Sequence, residues 1–238
     1  MSALLIETRG LTKSFGPKQV LAGVDLAVGQ GESLCVIGQS GTGKSILLKC
    51  ILGLVEPDAG EVLWQGQRLT PARRRDFLSG FGMLFQGAAL FDSLTVWQNV
   101  GFRLRQRMSD ARARAIAVEK LARVGLGPET ADLMPAELSG GMAKRAALAR
   151  AIADDPQVIF FDEPTTGLDP IRARRINELI RGIVTETGAT AITITHDMHS
   201  VRAIGDRVAL LQDGRIAWNG PVAQMASADP LQAFLGAE

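Results

Sequence analysis

The feature that most restricts the fold of this chain is a glycine-rich octapeptide between two apolar segments. Residues 38–45 read GQSGTGKS, and they follow the apolar run SLCVI and precede the run ILLKCILGL. A short apolar run bounded by glycine is typical of a buried parallel strand, and the second run is long enough for a helix. The order strand, glycine-rich loop, helix is the context in which this pattern forms a phosphate-binding loop. The sequence therefore predicts an α/β fold with an anion site where the strand gives way to the helix.

Each residue type in the octapeptide has a distinct part in holding phosphate. Glycines let the backbone curl so that its N–H groups point inward, and the following helix adds its positive end. Lys44 brings a compact charge to the β- and γ-phosphates, and Ser45 offers a hydroxyl to Mg²⁺. We therefore expect the whole octapeptide to bind nucleotide. Its residues are Gly38, Gln39, Ser40, Gly41, Thr42, Gly43, Lys44 and Ser45.

Two acidic residues end a second apolar strand. The run VIFF is followed by Asp162 and Glu163, and buried strands rarely end in paired carboxylates without a cation or a reacting group nearby. In a strand that continues through both residues, the two side chains point in opposite directions and have different functions. We expect Asp162 to hold Mg²⁺ through water, and Glu163 to orient or deprotonate the water that attacks the γ-phosphate. The alternative is an exposed strand end with two solvated acids.

A second candidate anion site lies at the start of a predicted helix. Ser139 is a favourable N-cap for the segment MAKRAALARAIA. Gly140 and Gly141 allow a phosphate to approach the backbone closely at the positive end of that helix. The chain therefore has a second element suited to phosphate in addition to the octapeptide.

The order of elements along the chain indicates one domain with an inserted helical part. Strand and turn patterns fill the first third, a segment rich in Ala, Arg and Leu follows, and strands alternate with helices again after Pro156. Strands separated by helices predict a mainly parallel sheet. We therefore expect a single domain over residues 1–238. Residues 1–92 and 154–238 would form the core with a β subdomain, and residues 93–153 a helical subdomain.

Local signals predict several boundaries within this plan. Ser109 is expected to cap one helix and Gly188 to end another. Asp213 and Gly214 stand between two apolar runs and predict a hairpin turn. The closing segment, residues 221–238, is expected to form short helices.

Composition excludes several classes of protein. The formal net charge is +1, so no strong overall field favours nucleic acid. The only two cysteines, Cys35 and Cys50, lie among apolar neighbours and are expected to be buried thiols rather than a disulfide framework. No apolar run approaches the ~18 residues of a membrane-spanning helix, and the first residues lack the pattern of a secretory signal. We therefore expect a cytosolic protein that reaches a membrane only through a partner.

Taken together, these segments resemble the ABC (ATP-binding cassette) ATPase family. LSGGM at residues 138–142 is similar to the family's signature motif, usually LSGGQ, with methionine as a departure. Gln86 matches the glutamine of the Q-loop, residues 166–169 match the D-loop, and His196 matches the switch histidine. Phe15 stands where the family stacks an aromatic ring on adenine. The resemblance implies a P-loop NTPase cassette with a RecA-like, mainly parallel sheet core, an antiparallel β subdomain and an inserted helical subdomain.

The resemblance also implies how such a site works. Two subunits pair head to tail as a homodimer, and each ATP lies between the P-loop of one subunit and the signature motif of the other. ATP and Mg²⁺ are the implied cofactors. The signature residues that bind the partner's ATP are Ser139, Gly140 and Gly141. The implied metal ligands are Ser45, Gln86 and Asp162. The implied catalytic residues are Glu163, His196, Gln86 and Lys44. Phe15 has an alternative interpretation as a core residue.

Three local runs resemble a narrower group within the family. LFQGAALFDSLTVWQNV, LMPAELSGGMAKRAALARAIA and DPLQAFLG are similar to the ATPase of bacterial Mla-type, MCE-associated phospholipid transporters, also known from toluene-tolerance systems. This resemblance implies three partners: an integral membrane permease, an MCE-domain lipid-binding protein and a small STAS-domain subunit. It places the ATPase as a peripheral subunit on the cytoplasmic face of the bacterial inner membrane. The implied task is phospholipid trafficking that maintains outer-membrane lipid asymmetry.

Two other functions stay open at the level of sequence. The first is the motor of an importer for amino acids or another small polar solute, because the ATPase of a transporter does not touch the cargo. The second is a non-transport ABC ATPase that acts on nucleic acid; the single cassette, the absence of a cysteine cluster and the balanced charge disfavour it. We therefore expect no nucleic-acid partner. The apolar segment after Gln86 is expected to dock a membrane partner or, alternatively, to pack within the helical subdomain.

Overall fold

The computed structural model describes residues 3–235, and the chain divides into two compact units. The first unit comprises Met1–Ser79 and Thr190–Glu238, and the second comprises Gly80–Ala189. The predicted domain, residues 1–238, therefore starts and ends outside the described residues. That residues 93–153 form a subdomain of their own stays a prediction.

The described residues form ten strands and eight α-helices, besides short 3₁₀ turns. The strands are β1 (Leu4–Phe15), β2 (Lys18–Gly29), β3 (Ser33–Ile37), β4 (Ala59–Trp64), β5 (Gln67–Arg68), β6 (Phe81–Leu84), β7 (Val158–Asp162), β8 (Thr190–Ile194), β9 (Arg207–Gln212) and β10 (Arg215–Pro221). The helices are α1 (Lys44–Leu52), α2 (Pro71–Ser79), α3 (Val96–Val100), α4 (Asp110–Arg123), α5 (Gly140–Ala151), α6 (Pro170–Thr187), α7 (Met198–Ile204) and α8 (Asp229–Leu235).

The first unit contains an antiparallel sheet built around two long strands. Its strands pair in the order β2-β1-β4-β5, and each neighbouring pair is antiparallel. β1 and β2 form a hairpin in which Phe15 lies opposite Lys18. Alternate positions on these strands are buried, including Leu11, Val24 and Leu26, so one face of the sheet packs on the core.

The glycine-rich loop follows a strand with parallel neighbours, also in the first unit. β3 is parallel to both β8 and β9, while β9 and β10 form an antiparallel hairpin. Every residue of β3 and β8 is buried, as expected for parallel strands covered on both faces. The predicted turn at Asp213 and Gly214 is confirmed, with φ of +49° and +71° at its two residues.

The second unit combines one parallel strand pair with four helices. β6 and β7 are parallel neighbours, and α3, α4 and α5 pack on one another. Ser109 stands at the N-cap position of α4, although its side chain makes no capping hydrogen bond, and Gly188 ends α6 in a left-handed conformation. Both predicted boundaries are therefore confirmed. α6 begins after Asp169, whose side chain accepts a hydrogen bond from the amide of Arg172.

The two cysteines and the closing segment also follow the predictions. Cys35 and Cys50 are buried free thiols, and burial, with a smaller contribution from Asp206, raises the pKa of Cys35 to about 12. The thiol of Cys35 is therefore unreactive at neutral pH. The predicted short helices occur as a 3₁₀ turn, Val222–Ser227, and α8, whereas residues 236–238 lie outside the described residues. Within residues 3–235, no helix has both the length and the apolar character needed to cross a membrane.

Strand β6 lies close to helix α5 because Gly82 has no side chain. A Cβ added at Gly82 would lie 2.0 Å from the carbonyl oxygen of Ala151, and 3.0 Å from a ring carbon of Pro156. Backbone atoms cannot give way as a flexible side chain can. The strand and the end of the helix therefore fit together only with glycine at this position.

Gly82→Ala is expected to lower the free energy of unfolding by about 1–3 kcal/mol, because the added methyl group forces β6 and α5 apart. The matched control is Gly182→Ala on α6, where a Cβ meets nothing within 4 Å. That control is expected to be neutral or to stabilise the protein by about 0.5–1 kcal/mol, since alanine favours a helix over glycine. Thermal unfolding measures both, and an unaltered midpoint for Gly82→Ala would contradict the close approach.

Candidate functional site

The glycine-rich octapeptide forms a tight loop between β3 and α1. Gly38, Gly41 and Gly43 have φ of +153°, +80° and +103°, which glycine adopts without strain. Space is also limited at two of these positions. A Cβ at Gly38 would lie 2.3 Å from the carbonyl oxygen of Leu211, and one at Gly43 would lie 2.9 Å from the side chain of Val20. The loop therefore needs glycine both for its backbone path and for its close packing.

The lysine of this loop is buried and binds the loop itself. Lys44 is 8% exposed, and its ammonium donates to the carbonyl oxygens of Gly38 at 2.5 Å and Gln39 at 2.9 Å. The hydroxyl of Thr42 donates to the same Gln39 oxygen at 2.9 Å. Ser45 is exposed in the first turn of α1. The arrangement holds a positive charge and a free hydroxyl at the positive end of a helix, which suits an anion and its counter-ion.

The candidate adenine-stacking residue is half exposed. Phe15 ends β1, 49% of it is accessible, and the ammonium of Lys13 lies 5.5 Å from the centre of its ring. This exposure disfavours the alternative interpretation of Phe15 as a core residue. An accessible aromatic ring is suited to stacking on a base.

The candidate switch histidine follows β8. His196 is exposed, and the next residue caps the following helix α7. Asp197 accepts hydrogen bonds from the hydroxyl of Ser200 at 2.6 Å and from the amide of His199 at 2.9 Å. Burial tends to raise the pKa of Asp197, but these hydrogen bonds outweigh it, and the pKa lies below its usual value. A charged cap therefore fixes the backbone immediately after His196.

The paired acids of the second unit lie at a sharp change in backbone direction. β7 ends at Asp162, and Glu163 has a φ of +48°. The prediction of one strand through both acids is wrong at Glu163, because a left-handed residue cannot continue a strand. The argument from alternating strand faces therefore does not apply to this pair.

Glu163 is constrained in an uncommon conformation for a residue with a side chain. Its carboxylate accepts a hydrogen bond from the hydroxyl of Thr166 at 3.1 Å, and its carbonyl accepts one from the Thr166 amide. Left-handed residues other than glycine cost of order 1–3 kcal/mol and persist only where the surroundings hold them. Such residues cluster at functional sites. Asp155 and Asp213 are left-handed as well, so the conformation supports the candidacy of Glu163 only together with its place at the end of β7.

The predicted cap at the second anion site is confirmed. The hydroxyl of Ser139 accepts a hydrogen bond from the amide of Met142 at 3.3 Å, and α5 begins at the next residue. Ser139 and Gly140 are exposed, and a Cβ at Gly140 would meet nothing within 4 Å. The first amides of a twelve-residue helix are therefore accessible to an anion.

Gln86 is exposed at the start of an unusually strained segment. It follows β6 by two residues, and Ala88 and Ala89 then adopt φ of +63° and +51°. The guanidinium of Arg150, at the end of α5, donates to the carbonyl oxygens of Ala88 at 2.9 Å and Ala89 at 2.7 Å. Sequence reasoning missed this tether, because no local pattern predicts two consecutive left-handed alanines.

A second cation of α5 was also missed. Lys144 is buried, and its ammonium donates to the carbonyl oxygens of Pro164 and Thr166, in the turn that carries Glu163. The sequence does contain a pattern that predicts such a contact for Lys144. Lys144 shares the buried stripe of α5 with Leu148 and Ala151, and a charge on such a stripe requires a partner.

The predicted site residues occur in both units. Phe15, the glycine-rich loop and His196 lie in the first unit. Gln86, Asp162, Glu163 and the signature residues lie in the second. Among residues 3–235, no group of three or more His, Cys, Asp or Glu side chains is arranged to hold a metal ion.

Residues 21–166 match a family model described as ABC transporter. The matched range includes the glycine-rich loop, Gln86, Ser139, Asp162 and Glu163. It covers more than half of the chain.

Several curated proteins are similar to this chain. It is 42% identical to Protein TRIGALACTOSYLDIACYLGLYCEROL 3, chloroplastic, of Arabidopsis thaliana, with 92% of the chain and 69% of that protein covered. It is 39% identical to the intermembrane phospholipid transport system ATP-binding protein MlaF of Haemophilus influenzae, with 98% and 89% covered. It is 41% identical to the methionine import ATP-binding protein MetN of Leifsonia xyli, with 93% and 67% covered. The probable ribonucleotide transport ATP-binding protein mkl of Mycobacterium tuberculosis is 38% identical, and the chain spans 64% of its length.

Two solved structures of one cassette protein share the fold. The dimeric structure of MJ0796, a bacterial ABC transporter cassette, has a TM-score of 0.83 and 31% identity, with 92% of this chain and 99% of that chain covered. A dimeric post-hydrolysis structure of the same protein, bound to ADP and Pi, has a TM-score of 0.82 and 31% identity over the same shares.

Proposed function

This chain belongs to the ABC transporter family and is an ATPase with the P-loop cassette fold, and from that premise we propose that it drives a phospholipid transporter. One observation carries the choice of cargo. The 39% identity with MlaF extends over 98% of this chain and 89% of that protein, so it is not confined to the nucleotide-binding motifs. The name of the plant relative contains that of a glycolipid, which supports a lipid as the cargo.

The triphosphate is proposed to bind at the glycine-rich loop. The ammonium of Lys44 would leave the carbonyl oxygens of Gly38 and Gln39 and turn to the β- and γ-phosphates. The loop amides and the start of α1 would hold the remaining oxygens. The exposed ring of Phe15 would stack on adenine.

The donor atoms present fit Mg²⁺ as a companion of ATP. Mg²⁺ prefers oxygen ligands and keeps several waters, so one or two protein ligands suffice beside the phosphates. Ser45 offers an exposed hydroxyl, Asp162 a carboxylate at the end of β7, and Gln86 an exposed amide oxygen. When bound, the ion neutralises charge on the β- and γ-phosphate oxygens.

Hydrolysis is proposed to depend on Glu163. Its carboxylate would orient or deprotonate the water that attacks the γ-phosphate, and Gln86 and His196 would contact that water or the γ-phosphate. The left-handed backbone at Glu163 and the hydrogen bond from Thr166 restrict where the carboxylate can point. A restricted carboxylate needs less reorganisation when water binds.

A second copy of the chain is proposed to complete the site. Ser139 and Gly140 are exposed at the start of α5, and one copy that binds one ATP at its P-loop leaves this helix end without an anion. A head-to-tail homodimer would place these residues on the γ-phosphate held by the partner. The dimeric structures of MJ0796 support this arrangement. ATP would close the pair, and hydrolysis would let it reopen.

A permease is proposed to dock beside Gln86. Phe91 and Phe102 are 45% and 39% exposed, and their ring centroids lie 4.8 Å apart. The fully buried side chain of Asn99 accepts a hydrogen bond from the amide of Phe91 and donates one to its carbonyl oxygen. The guanidinium of Arg150 lies 6.0 Å from the centre of the Phe91 ring. An exposed aromatic pair on a rigidly held segment is suited to a protein partner. The ATPase would thereby be a peripheral subunit on the cytoplasmic face of the membrane.

The test is to purify the complex from native membranes through a tag on this chain. We expect a permease, an MCE-domain protein and, as a smaller subunit, a STAS-domain protein, and we expect ATP-dependent phospholipid transfer between vesicles. A Phe91→Ser, Phe102→Ser variant is expected to keep its basal ATPase activity and to lose the permease. Recovery of a solute permease without an MCE-domain protein would overturn the lipid proposal.

The identity with MetN favours one alternative, an importer of amino acids or another small polar solute. The same purified complex distinguishes the two functions. Stimulation of ATPase activity by a solute and its binding protein, without phospholipid transfer, would establish the alternative.

A further inference from the structure

One lysine lies in the buried stripe of helix α5. Lys144 is 7% exposed, and the positions three, four and seven residues later are the buried Ala147, Leu148 and Ala151. Residues at this spacing lie on one face of a helix. An ammonium group on such a face is costly unless it is paired or hydrogen-bonded.

The ammonium of Lys144 is satisfied by the backbone of the turn between β7 and α6. It donates to the carbonyl oxygen of Pro164 at 2.9 Å and to that of Thr166 at 2.6 Å. Hydrogen bonds from a charged donor contribute roughly twice as much as neutral ones. The side chain therefore links α5, whose N-cap is the signature residue Ser139, to the turn that follows β7, the next strand in the sequence.

That turn carries Glu163. Thr166, one of the residues bound by Lys144, also donates its hydroxyl to the carboxylate of Glu163 at 3.1 Å. Burial lowers the pKa of Lys144, and the charge of Glu163 acts in the opposite direction. The two side chains are thus close enough for their charges to interact. Glu163, with its left-handed conformation, immediately precedes the segment that Lys144 holds at Pro164 and Thr166.

We propose that Lys144 is a positioning residue for Glu163, holding from helix α5 the turn that aims this carboxylate at the attacking water. The inference rests on the proposed role of Glu163 in hydrolysis. Lys144 belongs neither to the phosphate-binding loop nor to the proposed metal ligands. Its loss therefore affects the orientation of Glu163 and not the binding of ATP.

The first test is the steady-state kinetics of Lys144→Met, which keeps the length of the side chain and removes its charge and donors. We expect kcat to fall about 10- to 100-fold with KM for ATP unchanged, since misplacement of a reacting group by ~1 Å can cost that much. Lys144→Gln keeps an uncharged amide group that can still donate, and we expect its kcat to lie between those of the wild type and Lys144→Met. A wild-type kcat in either variant overturns the proposal, as does a raised KM with kcat unchanged.

The matched control is Lys120→Met on α4. Lys120 is also a buried lysine of the second unit, but its ammonium binds the carboxylate of Asp155 at 2.6 Å. We expect this variant to keep its kcat even where its thermal stability falls. An equal loss of kcat in Lys120→Met would mean that removal of any buried lysine here impairs the enzyme.

A double-mutant cycle with Glu163→Gln separates positioning from general destabilisation. If Lys144 acts through Glu163, then Lys144→Met causes no further loss of turnover in the Glu163→Gln background. Single-turnover phosphate release with radiolabelled ATP measures the low rates. Equal fold losses in both backgrounds contradict the proposal. Full turnover of Glu163→Gln alone instead contradicts the role of Glu163, so the two failures are distinguishable.

Discussion

Glu163→Gln is expected to bind ATP normally and to hydrolyse it at least ~100-fold more slowly, because an amide cannot accept the proton of the attacking water. The substitution preserves the shape of the side chain. The amide oxygen can still accept the hydrogen bond that the Thr166 hydroxyl now donates to the carboxylate. The turn at Glu163 therefore keeps its conformation, and only the chemistry changes.

Two measurements check this result together. Phosphate release gives the turnover, and size-exclusion chromatography with ATP gives the fraction of dimer. Because binding persists and hydrolysis does not, we expect ATP to trap Glu163→Gln as a closed dimer. The control is Glu178→Gln on α6, since Glu178 is an exposed glutamate whose partner is Arg174 and whose loss is expected to leave turnover unchanged. Wild-type turnover in Glu163→Gln would remove this residue from the mechanism.

The sequence predicted those elements whose signals are local. Ser109 and Gly188 mark the ends of helices because a cap is decided by the few residues around it. β3 and β8 were predictable because strands that are buried on both faces are short and mainly apolar. The octapeptide was predictable because its glycines are required by the backbone path, which φ of +80° and +103° at Gly41 and Gly43 confirm.

Features that depend on contacts distant in the sequence were not predictable. Glu163 leaves the strand because a turn follows that is tied by Lys144 from α5 and by Thr166. Ala88 and Ala89 are left-handed although alanine disfavours that region, and Arg150 from the far end of α5 binds both carbonyls. In each case the conformation opposes local propensity and a cation elsewhere in the chain compensates. Motifs in the sequence therefore identified the candidate site residues. The contacts that hold these residues in place could not be predicted from those motifs.

The two compensating cations, Lys144 and Arg150, both lie on helix α5. This helix therefore connects the turn after β7 with the segment after β6. Ser139 caps its start, Lys144 reaches the turn after β7, and Arg150 reaches the segment after Gln86. A helix is stiff over this length. Movement of its start, where a partner's phosphate is proposed to bind, would thus be transmitted to the turn of Glu163 and to the segment proposed to dock the permease.

Lys44→Ala is expected to lose both ATP binding and turnover, by at least ~100-fold, because two charge-assisted hydrogen bonds of about 1.5–3 kcal/mol each disappear from the phosphates. The free protein is affected as well. The ammonium binds the carbonyl oxygens of Gly38 and Gln39, so its removal also loosens the loop itself. The lost contacts to phosphate and the less ordered loop both weaken the binding of ATP.

The matched control for this prediction is Lys49→Ala, an exposed lysine in the last turn of the same helix. Its removal affects only the negative end of α1, at a cost of about 0.3–1 kcal/mol, and leaves the loop intact. Thermal unfolding with and without ATP measures binding, since a ligand at 100 times its Kd stabilises the folded state by about 2.7 kcal/mol. Wild type, Lys49→Ala and Glu163→Gln are expected to show this ATP-dependent shift, and Lys44→Ala is expected to show none. A full shift in Lys44→Ala would mean that the glycine-rich loop does not hold the triphosphate, and the proposed mechanism would fail at its first step.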